Sequence, residues 1–106
     1  MKTIWIIDCE HWPRALLRAE LIERGFDAAG YARAADALPS RFPDAIVVEL
    51  RGVSREEVAG LFRIGVPVIG IASTPAPDWI EEFQWGALLR RPVSIGEIAE
   101  AVAGLR

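Results

Sequence analysis

Three short stretches carry residues whose types and spacing could do chemistry. Asp8-Cys9-Glu10 ends the apolar run Thr3-Ile4-Trp5-Ile6-Ile7, Glu49 ends Ala45-Ile46-Val47-Val48, and Arg90-Arg91-Pro92 closes Gly86-Ala87-Leu88-Leu89. Carboxylates gathered at strand ends can hold a hard divalent cation through oxygen, act as nucleophiles in covalent transfer, or pair with a guanidinium. With Cys9 separating Asp8 from Glu10, solvated strand-end carboxylates are the default over a tight metal site. Glu49 with Arg91 also reads as a plain structural ion pair. Cys9 has acidic neighbours, which oppose a thiolate, so it reads as an inert small residue. His11 lacks the partner ligands of a transition-metal site and reads as a surface loop residue.

The elements that position these residues follow from pattern and punctuation. Ala45-Ile46-Val47-Val48 has no polar alternation, which suits a strand covered on both faces. Its carboxyl end is where ligands gather in open α/β sheets, so Glu49 takes the most informative position in the chain. Thr3 to Ile7 is a second buried strand. Pro13 and the apolar side Leu16, Leu17, Leu21, Ile22 predict a helix from Trp12 to Arg24, closed by Gly25. Phe26 to Tyr31 and Ala32 to Leu38 read as a short strand and a short helix. Ser54-Arg55-Glu56-Glu57 and Ser94-Ile95-Gly96-Glu97 both have capping-box spacing and start helices. Pro67 to Ile71 is the fourth strand, Asp78 caps a fourth helix with Trp79, Ile80 and Phe83, and Gly86 to Pro92 is the fifth strand. Ile95, Ile98, Ala99 and Val102 place the apolar face of a terminal helix. Five strands alternating with five helices predict a doubly wound α/β domain with a parallel sheet and helices on both faces.

Composition narrows the function classes. The chain has 106 residues, 52% apolar and 25% charged, enough for one domain spanning 1–106. A net charge of −3 and a single lysine, Lys2, argue against a nucleic-acid partner, which needs clustered cations. The first apolar run is too short for a signal peptide or a membrane span, and one cysteine excludes an internal disulfide, so a reducing cytoplasm and no membrane association are expected. Trp5 belongs to the core. Of Trp12, Trp79 and Trp85, at least one is expected on the surface as an interaction anchor.

Five of these segments, in register over essentially the whole chain, resemble the receiver (response-regulator, CheY-like) domain of bacterial two-component signalling, a flavodoxin-like fold. Ile7-Asp8-Cys9-Glu10 resembles its strand-one ending, normally Asp-Asp-Glu, and Gly25 to Leu38 resembles its second βα unit. Pro43-Asp44-Ala45-Ile46-Val47-Val48-Glu49 is similar to the segment carrying the phosphoacceptor Asp. Pro67 to Ser73 is similar to the switch strand, and Leu88-Leu89-Arg90-Arg91-Pro92 to the strand ending in Lys-Pro. The departures fall on the working positions. Cys9 replaces the second acid, Glu49 the acceptor, Ala72 the switch hydroxyl, Leu88 the switch aromatic and Arg91 the lysine, and the turn after the acceptor shortens to Arg51-Gly52-Val53. A neutral thiol is a poor Mg²⁺ ligand. The extra methylene of Glu49 displaces its oxygens by about 1.5 Å, where near-attack geometry tolerates less than ~1 Å.

The resemblance therefore implies an atypical receiver, a pseudo-receiver in a phosphorelay-type pathway. It is expected to be neither an enzyme nor dependent on a cofactor, with Mg²⁺ disfavoured, and to act through protein-protein contact. Its expected partner is a histidine kinase, an output protein or a second copy. The expected surface is the fourth helix, fifth strand and fifth helix, carrying Trp79, Trp85, Arg90 and Arg91. Two alternatives stay open at this stage: a receiver still phosphorylated on an acidic residue with Mg²⁺, and a flavodoxin-like small-molecule binder. The second lacks a Gly-rich phosphate loop after the first strand.

Overall fold

The computed structural model describes residues 2–105. Five strands, β1 (Thr3–Ile7), β2 (Asp27–Tyr31), β3 (Ala45–Glu49), β4 (Val68–Ala72) and β5 (Ala87–Arg90), form one sheet in the order β2-β1-β3-β4-β5. Every neighbouring pair is parallel. The expected doubly wound five-stranded topology is therefore present. All five residues of β3 are buried, as the unbroken apolar run requires of a central strand.

Side chains alternate across the sheet and build two cores. Ile4, Ile6, Val47, Ile69 and Ile71 face α1 (His11–Glu23) and the terminal helix α4 (Ile95–Ala103), packing against Leu17, Leu21, Ile98 and Val102. Trp5, Ile7, Ile46, Val48 and Val68 face α2 (Ala34–Ala37) and α3 (Arg55–Phe62), with Val58 and Leu61 beneath. Each fully buried aliphatic contributes about 1.5–3 kcal/mol relative to exposure. Both predicted capping boxes form. Ser54 Oγ accepts from the Glu57 amide at 3.1 Å and Ser94 Oγ from the Glu97 amide at 3.0 Å, while each glutamate reaches back to its serine amide. Gly25, closing α1, has φ 93°, a conformation that a side chain would strain.

Two expectations need correction. The helix predicted from Asp78 is a single 3-10 turn, Ile80–Glu82, flanked by irregular chain, so the sheet carries four α-helices and not five. Asp78 does not cap it. The residue before the turn is Trp79, which makes no side-chain cap. Pro75 and Pro77 remove amide donors from the approach, and Phe83 is already extended at φ −115°, ψ 147°. The volume a helix would have covered is filled by Trp85, whose indole lies on Gly70 of β4 and donates to the Ile80 carbonyl at 2.8 Å. Phe62, Phe83 and Trp85 form a mutually packed aromatic group, Trp79 meets Phe83 edge-on, and Arg55 lies 5.7 Å over Phe83 while pairing with Glu82 at 2.6 Å. The second correction concerns α1. Leu17 and Leu21 are buried, but Leu16 and Ile22, expected beside them, are 55% and 45% exposed.

Gly70 is the position on which this replacement depends. A Cβ there would lie 2.8 Å from the Trp85 ring, so Gly70→Ala is expected to lower stability by about 1–3 kcal/mol through overpacking, measured by urea unfolding.

Candidate functional site

The carboxyl end of the sheet brings Asp8, Glu49 and Arg91 together. Glu49 is the last residue of β3 and 1% exposed. Its Oε2 accepts two hydrogen bonds from Arg91, from Nη2 at 2.8 Å and from Nε at 3.2 Å. Its Oε1 accepts from the Arg51 amide at 3.3 Å, and the Arg51 Nε lies 3.9 Å away. Both oxygens of the buried carboxylate are thus compensated, which is the condition for keeping it charged inside the fold. Arg51 also pairs with Glu10, joining the loop after β1 to the loop after β3.

Asp8 is buried, and among the described residues no guanidinium pairs with its carboxylate. Its Oδ1 accepts from the Glu10 amide at 2.9 Å, and its backbone is held on both sides, the amide donating to Tyr31 O at 3.0 Å and the carbonyl accepting from Arg14 Nη1 at 2.7 Å. Burial raises the Asp8 pKa above its usual 3.8, the charges of Glu49 and Glu10 add to the rise, and the Glu10 amide and Arg51 partly offset it. Two guanidiniums, Arg51 and Arg91, meet the carboxylates of Glu10 and Glu49, while Arg14 meets only the backbone carbonyl of Asp8. The uncompensated charge falls on Asp8. Beside it, between α1, α4 and the sheet, is a cavity of about 30 Å³ lined by Asp8, Glu49, Arg91, Pro13 and Leu17, the room of roughly one water.

The other predicted residues are distributed differently. Cys9 is exposed, its Sγ 3.9 Å from the Arg51 carbonyl, and it lines a separate hollow of about 280 Å³ with Arg33, Arg51 and Glu57. Ala72 ends β4 fully buried, and its carbonyl accepts from the Arg91 amide at 2.9 Å. Leu88 lies opposite Gly70 in the β4·β5 register, with its Cδ1 over the same spot that Trp85 covers. Arg90 is exposed at the end of β5. Trp79 and Trp85 are half-buried and engaged within the molecule, and the helix expected to present them is a single 3-10 turn. The exposed tryptophan is Trp12 on α1, at 71%.

Arg51 and Arg14 were missed as functional positions. Arg51 stands one residue beyond Leu50 in a turn, where nothing local says that its side chain folds back onto Glu10 and Glu49. Arg14 had a faint signal in Gly30, whose missing side chain makes way for the Arg14 stem, an ideal Cβ there falling 2.9 Å from Arg14 Cγ.

No protein-family model matches the sequence, and no curated protein matches it. The fold has close counterparts among solved structures. A response regulator receiver domain protein from Clostridium thermocellum superposes with TM-score 0.81 at 16% identity, covering 97% of this chain and 92% of that one. A response regulator receiver protein from Burkholderia phymatum gives 0.78 at 20% identity over 97% and 93%. A CheY-like receiver domain protein from Methanospirillum hungatei JF-1 gives 0.76 at 15% identity over 92% and 88%. At these identities the likeness is one of fold, and the fold is that of receiver domains.

Two outcomes are expected from the charge arrangement. Arg91→Ala leaves a buried carboxylate short of its main partner and should cost about 3–5 kcal/mol in denaturant unfolding, more than Glu49→Gln at about 1–3 kcal/mol. Asp8 has a folded pKa above its unfolded value, so the folded state holds the proton more tightly and ionisation weakens folding as pH rises through that range. Asp8→Asn, which keeps an oxygen for the Glu10 amide, should therefore raise the melting temperature at pH 7. The gain should disappear as pH falls below the ordinary carboxylate value, and a gain that persists there would contradict the assignment.

Proposed function

We propose that this receiver-fold chain is a signalling module that works by binding another protein and does not depend on phosphorylation. The observation carrying the proposal is the state of Glu49. A carboxylate that attacks phosphorus needs an oxygen free to approach in line and a cation to neutralise the incoming group. Here Oε2 is held twice by Arg91 and Oε1 faces the Arg51 amide.

The donor set also argues against a resident Mg²⁺, which takes near-octahedral oxygen ligands. Glu10 and Glu49 are engaged with arginines, Cys9 offers a thiol turned toward the Arg51 carbonyl, and Asp8 alone remains. A single carboxylate does not make such a site, and no step is assigned to a metal. Arg91 delivers a fixed positive charge where Mg²⁺ and a lysine would share the task in the receivers this chain resembles.

The same substitutions remove the means of reporting a phosphoryl group. A switch needs two arrangements whose balance the ligand shifts. Ala72 has no hydroxyl to swing, and Leu88 is packed over Gly70 beside Trp85. The segment between β4 and β5 is pinned by the Arg55 to Glu82 pair and by the aromatic group. Its partner class, in this reading, is a signalling protein such as a histidine kinase or an output protein, recognised in one fixed conformation.

Incubation with a small phosphodonor and Mg²⁺, followed by intact-mass spectrometry, is expected to leave the chain unmodified, and beryllofluoride is expected to leave its amide NMR spectrum unchanged. A phosphoryl adduct on Glu49 or Asp8 would falsify the proposal.

A further inference from the structure

The face of α1 turned away from the sheet is apolar, and nothing among the described residues covers it. Trp12, Leu16 and Ile22 are 71%, 55% and 45% exposed, and Ala19 is exposed between them with Ala15 half-buried. Leu17 and Leu21, on the opposite side, already satisfy the core. A helix apolar on two sides is a helix buried on two sides.

We infer that a second copy of this chain covers the face, through a two-fold α1 to α1 contact with the helices parallel and in register. Trp12, Ala15, Ala19 and Ile22 follow the alternating three-and-four spacing of a helix-helix seam, and the two alanines let the backbones approach. The flanks decide the direction. Arg18, on one side of the seam, and Glu23, on the other, are five residues apart and both exposed. In a parallel pair each Arg18 meets the partner's Glu23 across the seam, and the two-fold axis makes the contact twice. An antiparallel pair would place Arg18 against Arg18 and Glu23 against Glu23. The inference stands on α1 alone and does not involve the Glu49 pocket, so its failure leaves the phosphorylation-independent reading untouched, and the converse holds as well.

The test is sedimentation equilibrium of the full chain without any phosphodonor. A reversible dimer is expected, weakened about tenfold or more by Leu16→Glu with an unchanged thermal melt at concentrations where both proteins are monomeric, since Leu16 is outside the core. Arg18→Glu should weaken it too, and the swap Arg18→Glu with Glu23→Arg should restore it. Both of those variants lose the bond from Arg18 Nε to the Ala28 carbonyl, so recovery in the swap isolates the intermolecular pair. Ala19→Cys in a Cys9→Ser background should oxidise to a covalent dimer. A monomer at all concentrations, a dimer indifferent to Leu16→Glu, an unrescued swap, or no cross-link through position 19 each overturns the inference. A monomer whose α1 face instead takes a helix of a different signalling protein is among those outcomes.

Discussion

The buried charge of Glu49 is the constraint on which the carboxyl end of this sheet depends. A carboxylate in the middle strand, sealed from water, costs several kcal/mol unless charge and hydrogen bonds meet it. Arg91 reaches it from the end of β5 and Arg51 from the turn after β3. Arg51 then ties in Glu10, so the loops after β1, β3 and β5 are joined through the chain Glu10, Arg51, Glu49, Arg91. The arrangement is mechanical as much as electrostatic. It leaves Asp8 as the carboxylate without a guanidinium partner, and Asp8 is the group whose proton affinity rises.

The face of the sheet over β4 and β5 shows the same preference for fixed packing. Trp85 lies on Gly70, Leu88 meets the same spot from β5, and Phe62 and Phe83 close over the indole. A close-packed aromatic group has few alternative arrangements. Such packing is what the proposed phosphorylation-independent reading requires of this segment. The pinned carboxylate and the pinned segment therefore support one reading, in which a receiver fold is kept for its shape and surfaces.

The distribution of tryptophans separates the inner work of the fold from its outer face. Trp5 and Trp85 are structural, filling the α2/α3 side of the sheet. Trp12 is exposed on a helix whose inward side is already complete. An exposed apolar face is what distinguishes α1 from α3 and α4, on which no large apolar side chain is exposed.

Local rules were enough to place the strands, the two capping boxes, and the strand-end charges Asp8, Glu49 and Arg91. Apolar run length, cap spacing and turn residues act over a few residues and are written into the chain directly. The failures came where the deciding neighbour is distant. Glu49 and Arg91, 42 residues apart, pair as their strand-end positions suggested, but that Arg51 folds back onto Glu10 and Glu49 and leaves Asp8 alone was not legible in the chain. Trp79 and Trp85 suit a helix by local pattern, yet the gap above Gly70 draws the indole inward and leaves only a 3-10 turn. Leu16 and Ile22 share an apolar stretch with Leu17 and Leu21, and only the orientation of α1 on the sheet sends one pair in and the other out. The sequence by itself determined the architecture and which charges reach the edge of the sheet, because those follow from contacts near in the chain. The tertiary structure alone decided which carboxylate is left without a partner, which tryptophan is covered and which face is left open, because burial belongs to neighbours that meet only in three dimensions.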